Sequence, residues 1–541
     1  RSGSTWTTNS LTETRKDDYH VTSQVIANYM GTFGSHDLTV MAGFENYYMK
    51  DEELTAARDK YELTGYPYLN IGSEDFQTNS GKGSEYTSNS VFGRVIYSYA
   101  DRYLFQANIR HDGSSRFAKG YRWGTFPSFS AGWVMSEEKF MKSLNWDWLS
   151  FLKLRGSWGI LGNERIGDDY FPYIALMSFG NSLFYMADGS VVSDKTARPA
   201  ILAVEDITWE TTTSTDFGLD ANFFNNRLQF HFDYYWKQTK DMLLKIEIPY
   251  FMGYNNPNTN AGKMSTHGYD IELAWNDRIG DLQYGVNVNF SDFLSKIDYM
   301  NDGEQISNGK IKRAGVLFNE YYGYVCDGIY QTQEEVNNSA RTSTTVTVGD
   351  LKYRDISGPD GVPDGIISPE YDRVPLGNSL PRFQYGGTFN ASYKGIDFSI
   401  AFQGIGKQNS YLSTAMVQPL RDNYGSVPSI IEGKYWSPFN TAEENLSARY
   451  PRLSNVSKSN NYATSNFWMF NGSYFRLKNL TLGYTLPETW TQKAGIDRVR
   501  FYISGSDLFC LSNFPDGWDP EMGASSYPIT TSLVMGLQVN F

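Results

Sequence analysis

The C-terminal stretch 531–541 constrains the fold more than any other part of the sequence, because its side chains alternate in character. Every second residue is apolar, and these residues are Leu533, Met535, Leu537, Val539 and Phe541. The residues between them are small or polar except Val534. A period of two is typical of a β-strand with one apolar and one polar face. An outer-membrane barrel strand and an edge strand of a soluble sandwich both fit this pattern, so the rest of the chain decides.

The same alternation recurs along the chain and predicts about fifteen strands, most of them about ten residues long, which is the length a tilted strand needs to cross a bilayer. The predicted strands are 24–29, 38–44, 91–99, 103–109, 125–135, 151–160, 217–223, 228–236, 269–275, 284–290, 383–393, 396–402, 474–486, 499–508 and 531–541. Residues 1–15 are a candidate for one more strand, and residues 137–141 for a short helix.

Short and long connections alternate between these strands. Short turns are predicted at 34–37, 100–102, 225–226, 277–281 and 394–395. Long segments are predicted at 51–88, 162–208, 300–380 and 409–471. Because a membrane barrel has short periplasmic turns and long extracellular loops, this alternation favours a transmembrane antiparallel β-barrel over a sandwich. All short turns should then lie at one end of the barrel.

Composition supports a membrane barrel and excludes other classes. Aromatic residues make up 16% of the 541 residues, which suits aromatic girdles at two membrane interfaces. No run of about 18 apolar residues occurs, so the sequence predicts no transmembrane helix. The net charge of -13 argues against nucleic-acid binding. The two cysteines and five histidines do not form a disulfide scaffold or a metal-ligand pattern.

The segment 474–487, YFRLKNLTLGYTLP, closely resembles the C-terminal signature of SusC-like TonB-dependent transporters, the SusC/RagA family of outer-membrane importers in Bacteroidetes. Apolar residues occupy one face of this predicted strand, threonines occupy the other, and Pro487 should end its pairing. Similar segments follow the family's order from about residue 20 to Phe541. They are 349–355, 376–378, 381–383, 386–387, 393–395, 519–521 and 527–528.

The resemblance implies an all-β barrel of roughly 22 strands in the full protein, with an N-terminal plug. Residues 1–541 would be the C-terminal barrel part, and the chain starts at Arg1 with no signal peptide. We therefore expect that the plug and the first strands belong to a missing N-terminal part. Since an open barrel edge is costly in lipid, residues 1–30 should not pair with residues 531–541.

The family implies energised import of a large nutrient, an oligosaccharide or oligopeptide, in the bacterial outer membrane. The implied partners are a SusD-like surface lipoprotein that caps the barrel, TonB acting through the plug, and a second such pair in a dimer. No cofactor and no enzymatic activity are expected, since no catalytic constellation stands out. A passive porin and a secreted all-β glycan-binding or structural protein remain the alternatives; an outer-membrane enzyme has no residues that motivate it.

A Gly/Pro-rich acidic loop is a candidate calcium site. The family often carries a run similar to half a calcium loop here, and the possible ligands are Asp355, Asp360, Asp364 and Asp372. Ser357 replaces the usual Asn, Pro359 intrudes, and no bidentate Glu occupies the twelfth position. A solvated acidic turn is the alternative.

The alternation also predicts which side chains face lipid and which face inward. The predicted lipid-facing residues are Leu228, Phe230, Phe232, Phe398, Ile400, Leu533, Met535 and Leu537. The predicted inward residues are Gln229, Asp233, Ser399 and Gln538. Several loop aromatics can either stack on sugar rings or pack within loops, namely Tyr66, Tyr68, Tyr170, Phe171, Trp436 and Trp518.

Overall fold

A computed structural model describes residues 9–541 apart from 64, 168, 302, 414–416, 421–426, 428, 457, 523–526 and 528. Its main element is a fifteen-stranded sheet in which successive strands of the chain are neighbours. Those strands are β1 (Ser10–Phe33), β2 (His36–Asp59), β3 (Gln77–Tyr99), β4 (Tyr103–Ser114), β5 (Trp123–Val134), β6 (Leu149–Asn163), β9 (Glu210–Phe223), β10 (Leu228–Lys245), β11 (Asn258–Ile279), β12 (Leu282–Met300), β19 (Arg382–Tyr393), β20 (Ile396–Lys407), β23 (Tyr474–Thr485), β24 (Arg498–Ser512) and β25 (Ser532–Asn540). The predicted all-β class and the predicted strand number are confirmed.

Smaller sheets of four, two, two and two strands lie in the connections of the main sheet. Their strands are β7 (Met177–Tyr185), β8 (Val191–Pro199), β13 (Glu304–Ser307), β14 (Lys310–Arg313), β15 (Glu320–Tyr324), β16 (Cys326–Ile329), β17 (Leu351–Tyr353), β18 (Arg373–Asn378), β21 (Asn409–Tyr411) and β22 (Met469–Asn471). The helices are short: α1 (Lys139–Ser143), α2 (Gln333–Asn338), α3 (Ala442–Leu446), α4 (Lys458–Asn461) and α5 (Glu488–Thr491). Single 3-10 turns occupy Leu69–Ile71, Glu74–Phe76, Met135–Glu137, Tyr250–Met252, Ser429–Ile431, Asn466–Trp468 and Gln492–Ala494.

The connections alternate in length as predicted, except that 135–148 is longer than 115–122. Because antiparallel strands pair in chain order, successive connections lie at opposite ends of the strands. One end of the sheet carries the tight turns at 34–35, 100–102, 224–227, 280–281 and 394–395, together with 135–148 and 486–497. The other end carries 60–76, 115–122, 164–209, 246–257, 301–381, 408–473 and 513–531. We call these the short-connection end and the long-connection end.

Three sequence-based boundaries are wrong. Residues 51–88 are mostly strand, since β2 and β3 pair without interruption from His36 with Tyr99 to Arg58 with Gln77. Residues 10–15 belong to β1 rather than to a separate strand, and residues 1–8 lie outside the described residues. β11 continues to Ile279, which shortens the predicted 277–281 turn. The backbone ladder in β1–β3 extends into segments that are polar on both faces, where alternation no longer marks a strand.

The chain divides into two compact units, and each has its own apolar core. The first comprises Arg1–Gly132, Ser157–Thr215 and Gln238–Lys263, with Phe117, Phe126, Ile166, Ile207 and Trp209 as its core. The second comprises Trp133–Gly156, Asp216–Lys237 and Met264–Phe541. Its main core belongs largely to the long connections and contains Tyr324, Leu351, Tyr353, Ile367, Leu412, Val417, Trp468, Phe470 and Phe514.

Two further observations bear on the membrane predictions. In the described part of the chain, β1 is paired with β2 and β25 with β24, and these two strands stand at the two ends of the strand order. That residues 1–30 do not pair with residues 531–541 stays a prediction. The described residues also contain no helix that is long and apolar enough to cross a membrane. The expectation of a missing N-terminal part stays a prediction.

Candidate functional site

One face of the main sheet is apolar and open. On β25, the side chains of Leu533, Met535 and Leu537 are 70%, 81% and 58% exposed. Polar groups occupy the opposite face: on β20, Ser399 Oγ donates to Asn390 Oδ1, and on β10, Asp233 is held by an arginine. A large exposed apolar surface indicates contact with a membrane or another protein. These observations fit the predicted division into two faces, and the division and lipid contact both stay predictions.

A charged cluster on the polar face is centred on Arg155 of β6. Arg155 Nη2 donates to Asp233 Oδ2 at 2.6 Å, and its Nε donates to Asp220 Oδ1 at 3.2 Å. The same oxygen of Asp220 lies 3.0 Å from His231 Nδ1. Asp216 lies 3.7 Å from the guanidinium. One cation therefore joins carboxylates of β9 and β10, and such charge-assisted bonds fix the register of neighbouring strands.

A second charged cluster, centred on Arg476 of β23, anchors the connection between β24 and β25. The Arg476 side chain is almost fully buried and forms ion pairs with Asp519 and Glu521. Arg476 Nη2 donates to Asp519 Oδ1 at 2.6 Å, and Gln403 Nε2 donates to Glu521 Oε2 at 3.0 Å. Because a buried guanidinium must be paired, the 519–521 motif has a structural reason to accompany Arg476.

An uncharged strip lies between these clusters on β12, β19 and β20. The register places Asn287 beside Thr388, and it places Gly386 between Asn289 and Gln403. The strip lines a groove of about 770 Å³ towards the long-connection end and one of about 680 Å³ towards the short-connection end. We call this strip the amide track, and it consists of Asn287, Asn289, Gln384, Thr388, Asn390 and Gln403.

The long connections of the second unit are held together by a buried polar network around Asp350. The fully buried Asp350 carboxylate accepts from Arg452 Nε at 2.7 Å and from Asn461 Nδ2 at 2.9 Å. Asn461 Oδ1 in turn accepts from Leu351 N, and Trp468 Nε1 donates to the Asn461 carbonyl. The family-like segment 349–355 therefore joins connection 301–381 to connection 408–473 through residues about a hundred positions apart in the chain.

Burial also changes the titration of groups in this region. Loss of solvent raises the pKa of the Cys326 thiol to about 11 and raises the pKa of Tyr353 well above its ordinary value. Cys326 and Cys510 are both free thiols, so the chain has no disulfide between them. These neutral, buried groups act as core residues rather than as reactive ones.

The four aspartates of the predicted calcium site are used in different ways. Asp372 is fully buried, and its two oxygens accept from the backbone amides of Ile356, Ser357 and Ser368. Asp355 Oδ2 and Asp364 Oδ1 each accept from one loop amide, whereas Asp360 is exposed. Throughout the described ranges, no group of three or more His, Cys, Asp or Glu side chains is arranged to hold a metal ion. Calcium binding here stays a prediction, and Asp372 has a structural role.

The six loop aromatics also differ in environment. Tyr66 and Tyr68 are exposed, and Tyr170 lies under the Arg116 guanidinium, 4.4 Å from its ring centre. The buried Trp436 donates through Nε1 to Gln331 Oε1. Two others are partly buried: Phe171, which contacts Tyr173, and Trp518, which packs on the main core of the second unit. Loop packing therefore explains Trp436 and Trp518.

Sequence reasoning missed the Arg155 and Arg476 clusters and the amide track. The available signal was the spacing of two between polar residues, such as Gln229, His231 and Asp233 on β10. That spacing predicts a shared face but not which strands meet across it.

Comparison with known proteins identifies relatives of the whole chain. A family model described as "TonB dependent receptor-like, beta-barrel" matches residues 1–504. TonB-dependent receptor P3 of Formosa agariphila is 29% identical over 557 residues, covering 96% of this chain and 52% of the relative. TonB-dependent receptor SusC of Bacteroides thetaiotaomicron is 28% identical over 541 residues, covering 97% of this chain and 50% of the relative. The chain thus spans about half the length of these curated relatives.

Solved structures support the fold. The chain is similar to the structure of the RagAB peptide transporter with a TM-score of 0.80 and 23% identity, covering 98% of this chain and 56% of that one. The RagAB peptide importer in its open-open state gives a TM-score of 0.78, covering 98% of this chain and 55% of that one. The strand arrangement described above is therefore that of a large outer-membrane barrel.

Proposed function

Because this chain belongs to the family of TonB dependent receptor-like β-barrels, we propose that it forms part of an energised importer for a large nutrient in the bacterial outer membrane. The family lies in the outer membrane and is one of transporters, not enzymes. The observation that carries the proposal is the fifteen-stranded sheet with one open apolar face and one polar face. A wall with these two faces suits lipid on one side and a polar passage on the other.

The partners follow from the relatives. SusC and RagA-like proteins are the relatives in sequence and fold, so a SusD-like surface lipoprotein is the expected lid, and TonB the expected source of mechanical work. A dimer of two such pairs completes the proposed assembly. A buried core and the Asp350–Arg452 pair hold connections 301–381 and 408–473 together, which supports the proposal because a lid needs ordered connections to close against.

The cargo is proposed as an oligosaccharide or an oligopeptide. One relative in fold is described as a peptide transporter, which is a statement about that protein. Passage of such a cargo needs binding and gated movement but no covalent chemistry. A passive porin would instead let small solutes diffuse without an energy source.

The proposal is tested by uptake in intact cells. A strain that lacks the gene should lose growth on one class of oligomer and keep growth on its monomers. Uptake of that oligomer in the parent strain should stop when a protonophore collapses the proton-motive force. Uptake that persists in de-energised cells would favour a passive porin, and unchanged growth on every oligomer would refute the proposal.

The partner is tested by affinity purification of the tagged protein from detergent-solubilised outer membranes. A surface lipoprotein should copurify in about equal amount. Purification of the barrel protein alone, under conditions that leave its transport intact, would contradict a permanent lid.

A further inference from the structure

We propose that connection 135–148 is an amphipathic anchor that binds the headgroup layer of a phospholipid leaflet at the short-connection end of the sheet. It is the longest connection at that end, where most others are tight turns, and it contains α1. The inference goes beyond nutrient import, because it concerns how the protein is held in the membrane. It shares with the proposed function only the expectation that the apolar face of the main sheet meets lipid.

Four large apolar side chains of this connection are exposed. They are Phe140, Leu144, Trp146 and Trp148, each between 44% and 52% exposed, and we call them the anchor residues. Phe140 and Leu144 are four positions apart, in α1 and at its C-cap, so they lie on one side of this helix. An exposed apolar surface of this kind indicates contact with a membrane or with another protein.

The connection that carries the anchor residues is held by contacts within the chain. The Phe140 ring centre lies 6.4 Å from that of Trp133 at the end of β5, and Trp133 Nε1 donates to Glu138 Oε1 at 3.2 Å. At the other end of the connection, Phe224 N donates to the Trp148 carbonyl at 2.8 Å. This bond ties the connection to the turn between β9 and β10, so the apolar side chains are presented by an ordered segment.

A row of aromatic rings runs from the anchor residues to the main sheet. The ring centres of Trp146 and Trp148 are 5.3 Å apart. Trp148 stacks on Phe223 of β9 at 5.8 Å, with an angle of 2° between the ring planes. Phe224 continues the row, 6.4 Å from Phe223 and 6.3 Å from Trp275 of β11.

This row lies on the apolar face of the sheet. Phe223 is three residues after Asp220, whose carboxylate accepts from Arg155 on the polar face. Trp275 is three residues after Glu272, which bonds to the amide track on that same polar face. Because side chains alternate along a strand, Phe223 and Trp275 point to the opposite face. The anchor residues therefore extend the surface that is expected to meet lipid, and a lipid leaflet covers both without a break.

The polar residues of the connection fit a headgroup layer of low net charge. Its charged residues are Lys139 and Lys142 against Glu137, Glu138 and Asp147, and Lys142 Nζ donates to Glu137 Oε2 at 2.6 Å. Selective binding to anionic lipid uses clusters of lysine and arginine, so this connection should bind a zwitterionic phospholipid at least as well. Tryptophan suits such a layer, since its ring is apolar and its N–H bonds to polar groups.

The test measures whether lipid shields an anchor position in the full-length protein reconstituted into phosphatidylcholine vesicles. An environment-sensitive fluorophore is attached to single cysteines in a background without the native ones. Leu144→Cys reports on the anchor, and Leu537→Cys reports on the apolar face of β25. Asp281→Cys reports on water, because its turn lies about 20 Å of strand beyond Trp275. Aqueous iodide and nitroxide-labelled lipid then quench the fluorophore from the two sides.

We expect iodide to quench the Leu144 label about fivefold less than the Asp281 label, and nitroxide-labelled lipid to quench the Leu144 label more. Adding phosphatidylglycerol to the vesicles should change the iodide quenching of the Leu144 label by less than about twofold. Heat-modifiable migration on gels verifies that each labelled protein is folded.

The contribution of the two tryptophans is measured with the same label. Trp146→Ser combined with Trp148→Ser should raise iodide quenching of the Leu144 label about threefold, whereas Trp146→Tyr with Trp148→Tyr should keep it low, because tyrosine also suits the interface. The matched control is Trp490→Ser, which removes an exposed tryptophan from connection 486–497 at the same end and should leave the quenching at its original value. Unchanged quenching in the double serine variant would contradict the role of the tryptophans.

The remaining outcomes separate the anchor from the rest of the account. Equal iodide quenching of the Leu144 and Asp281 labels, with the Leu537 label protected, would overturn the anchor and leave the lipid-facing sheet and the import function standing. A Leu144 label that is exposed in vesicles but protected in isolated outer membranes would assign the anchor residues to a protein partner instead. Iodide access to the Leu537 label as well would refute the lipid-facing sheet, and the anchor with it.

Discussion

At the scale of single residues, the Asp350–Arg452 pair is the contact whose loss should matter most for the long connections. Replacing Arg452 with Met would leave the fully buried Asp350 without its cation. Removing one partner of a buried pair costs about 3–5 kcal/mol. Limited proteolysis of the folded protein should then cleave connections 301–381 and 408–473 more than about a hundredfold faster, because cleavage follows the opening equilibrium.

The control for this prediction is Arg354→Met, which removes an ion pair to Asp327 from a largely exposed arginine. Exposed pairs contribute little, so proteolysis of this variant should resemble wild type. Equal rates for the Arg452 and Arg354 variants would show that the Asp350 network does not hold the two connections together.

The Cys326 thiol gives a second prediction at this scale. Because burial raises its pKa to about 11, about one thiol in a thousand is ionised at pH 8. In a Cys510→Ser background, alkylation by iodoacetamide at pH 8 should be slow in the folded protein and fast in urea. Reaction of the folded protein at the rate of the unfolded chain would mean that Cys326 is accessible and ionised.

The sequence identified several important segments but not the distant residues that contact them. It selected 349–355 and 519–521 as meaningful, but their partners Arg452, Asn461 and Arg476 are remote in the chain, and no local pattern points to them. It proposed the Asp372 carboxylate as a possible metal ligand, which stays a prediction, and it did not foresee the three backbone amides that donate to this carboxylate. Calcium loops and amide-capped acidic turns use the same residue types, so composition alone does not separate them.

At the scale of elements, β25 offers a direct test of which face meets lipid. Leu537 lies on the open apolar face, so Leu537→Arg should cost about 2–4 kcal/mol if this position is near the bilayer midplane. The matched control is Val534→Arg, on the opposite face of the same strand, where a charge can stay in a polar surrounding. The free energy of unfolding of both variants is measured by reversible urea-dependent folding into lipid vesicles. A larger loss for Val534→Arg would reverse the assigned faces.

The alternation predicted the apolar part of each strand well and the polar extensions poorly. β2 and β3 continue as a ladder through 51–59 and 77–88, where neither face is apolar and the period-two signal is lost. The small strands β13–β18 were also missed. They are three to six residues long, and their positions depend on contacts between connections rather than on local pattern.

At the scale of the whole molecule, sheet order and connection lengths were predictable because they follow from the meander itself. The division of the polar face into charged clusters and an uncharged track could not be predicted from the sequence. It depends on which strands become neighbours across long connections such as 301–381. The cargo, the lid and the energy source are properties of the assembled importer, so experiments on the intact protein are needed to identify them.

Everything inferred about transport depends on the sheet spanning the outer membrane with its long connections outside. Single cysteines in a background lacking Cys326 and Cys510 test this directly. Phe439→Cys, at a 95% exposed site in connection 408–473, should react in intact cells with a maleimide too large for porins. Asp281→Cys, in the tight turn between β11 and β12, should react only after the outer membrane is permeabilised. Labelling of Asp281→Cys in intact cells, with Phe439→Cys protected, would contradict the proposed orientation.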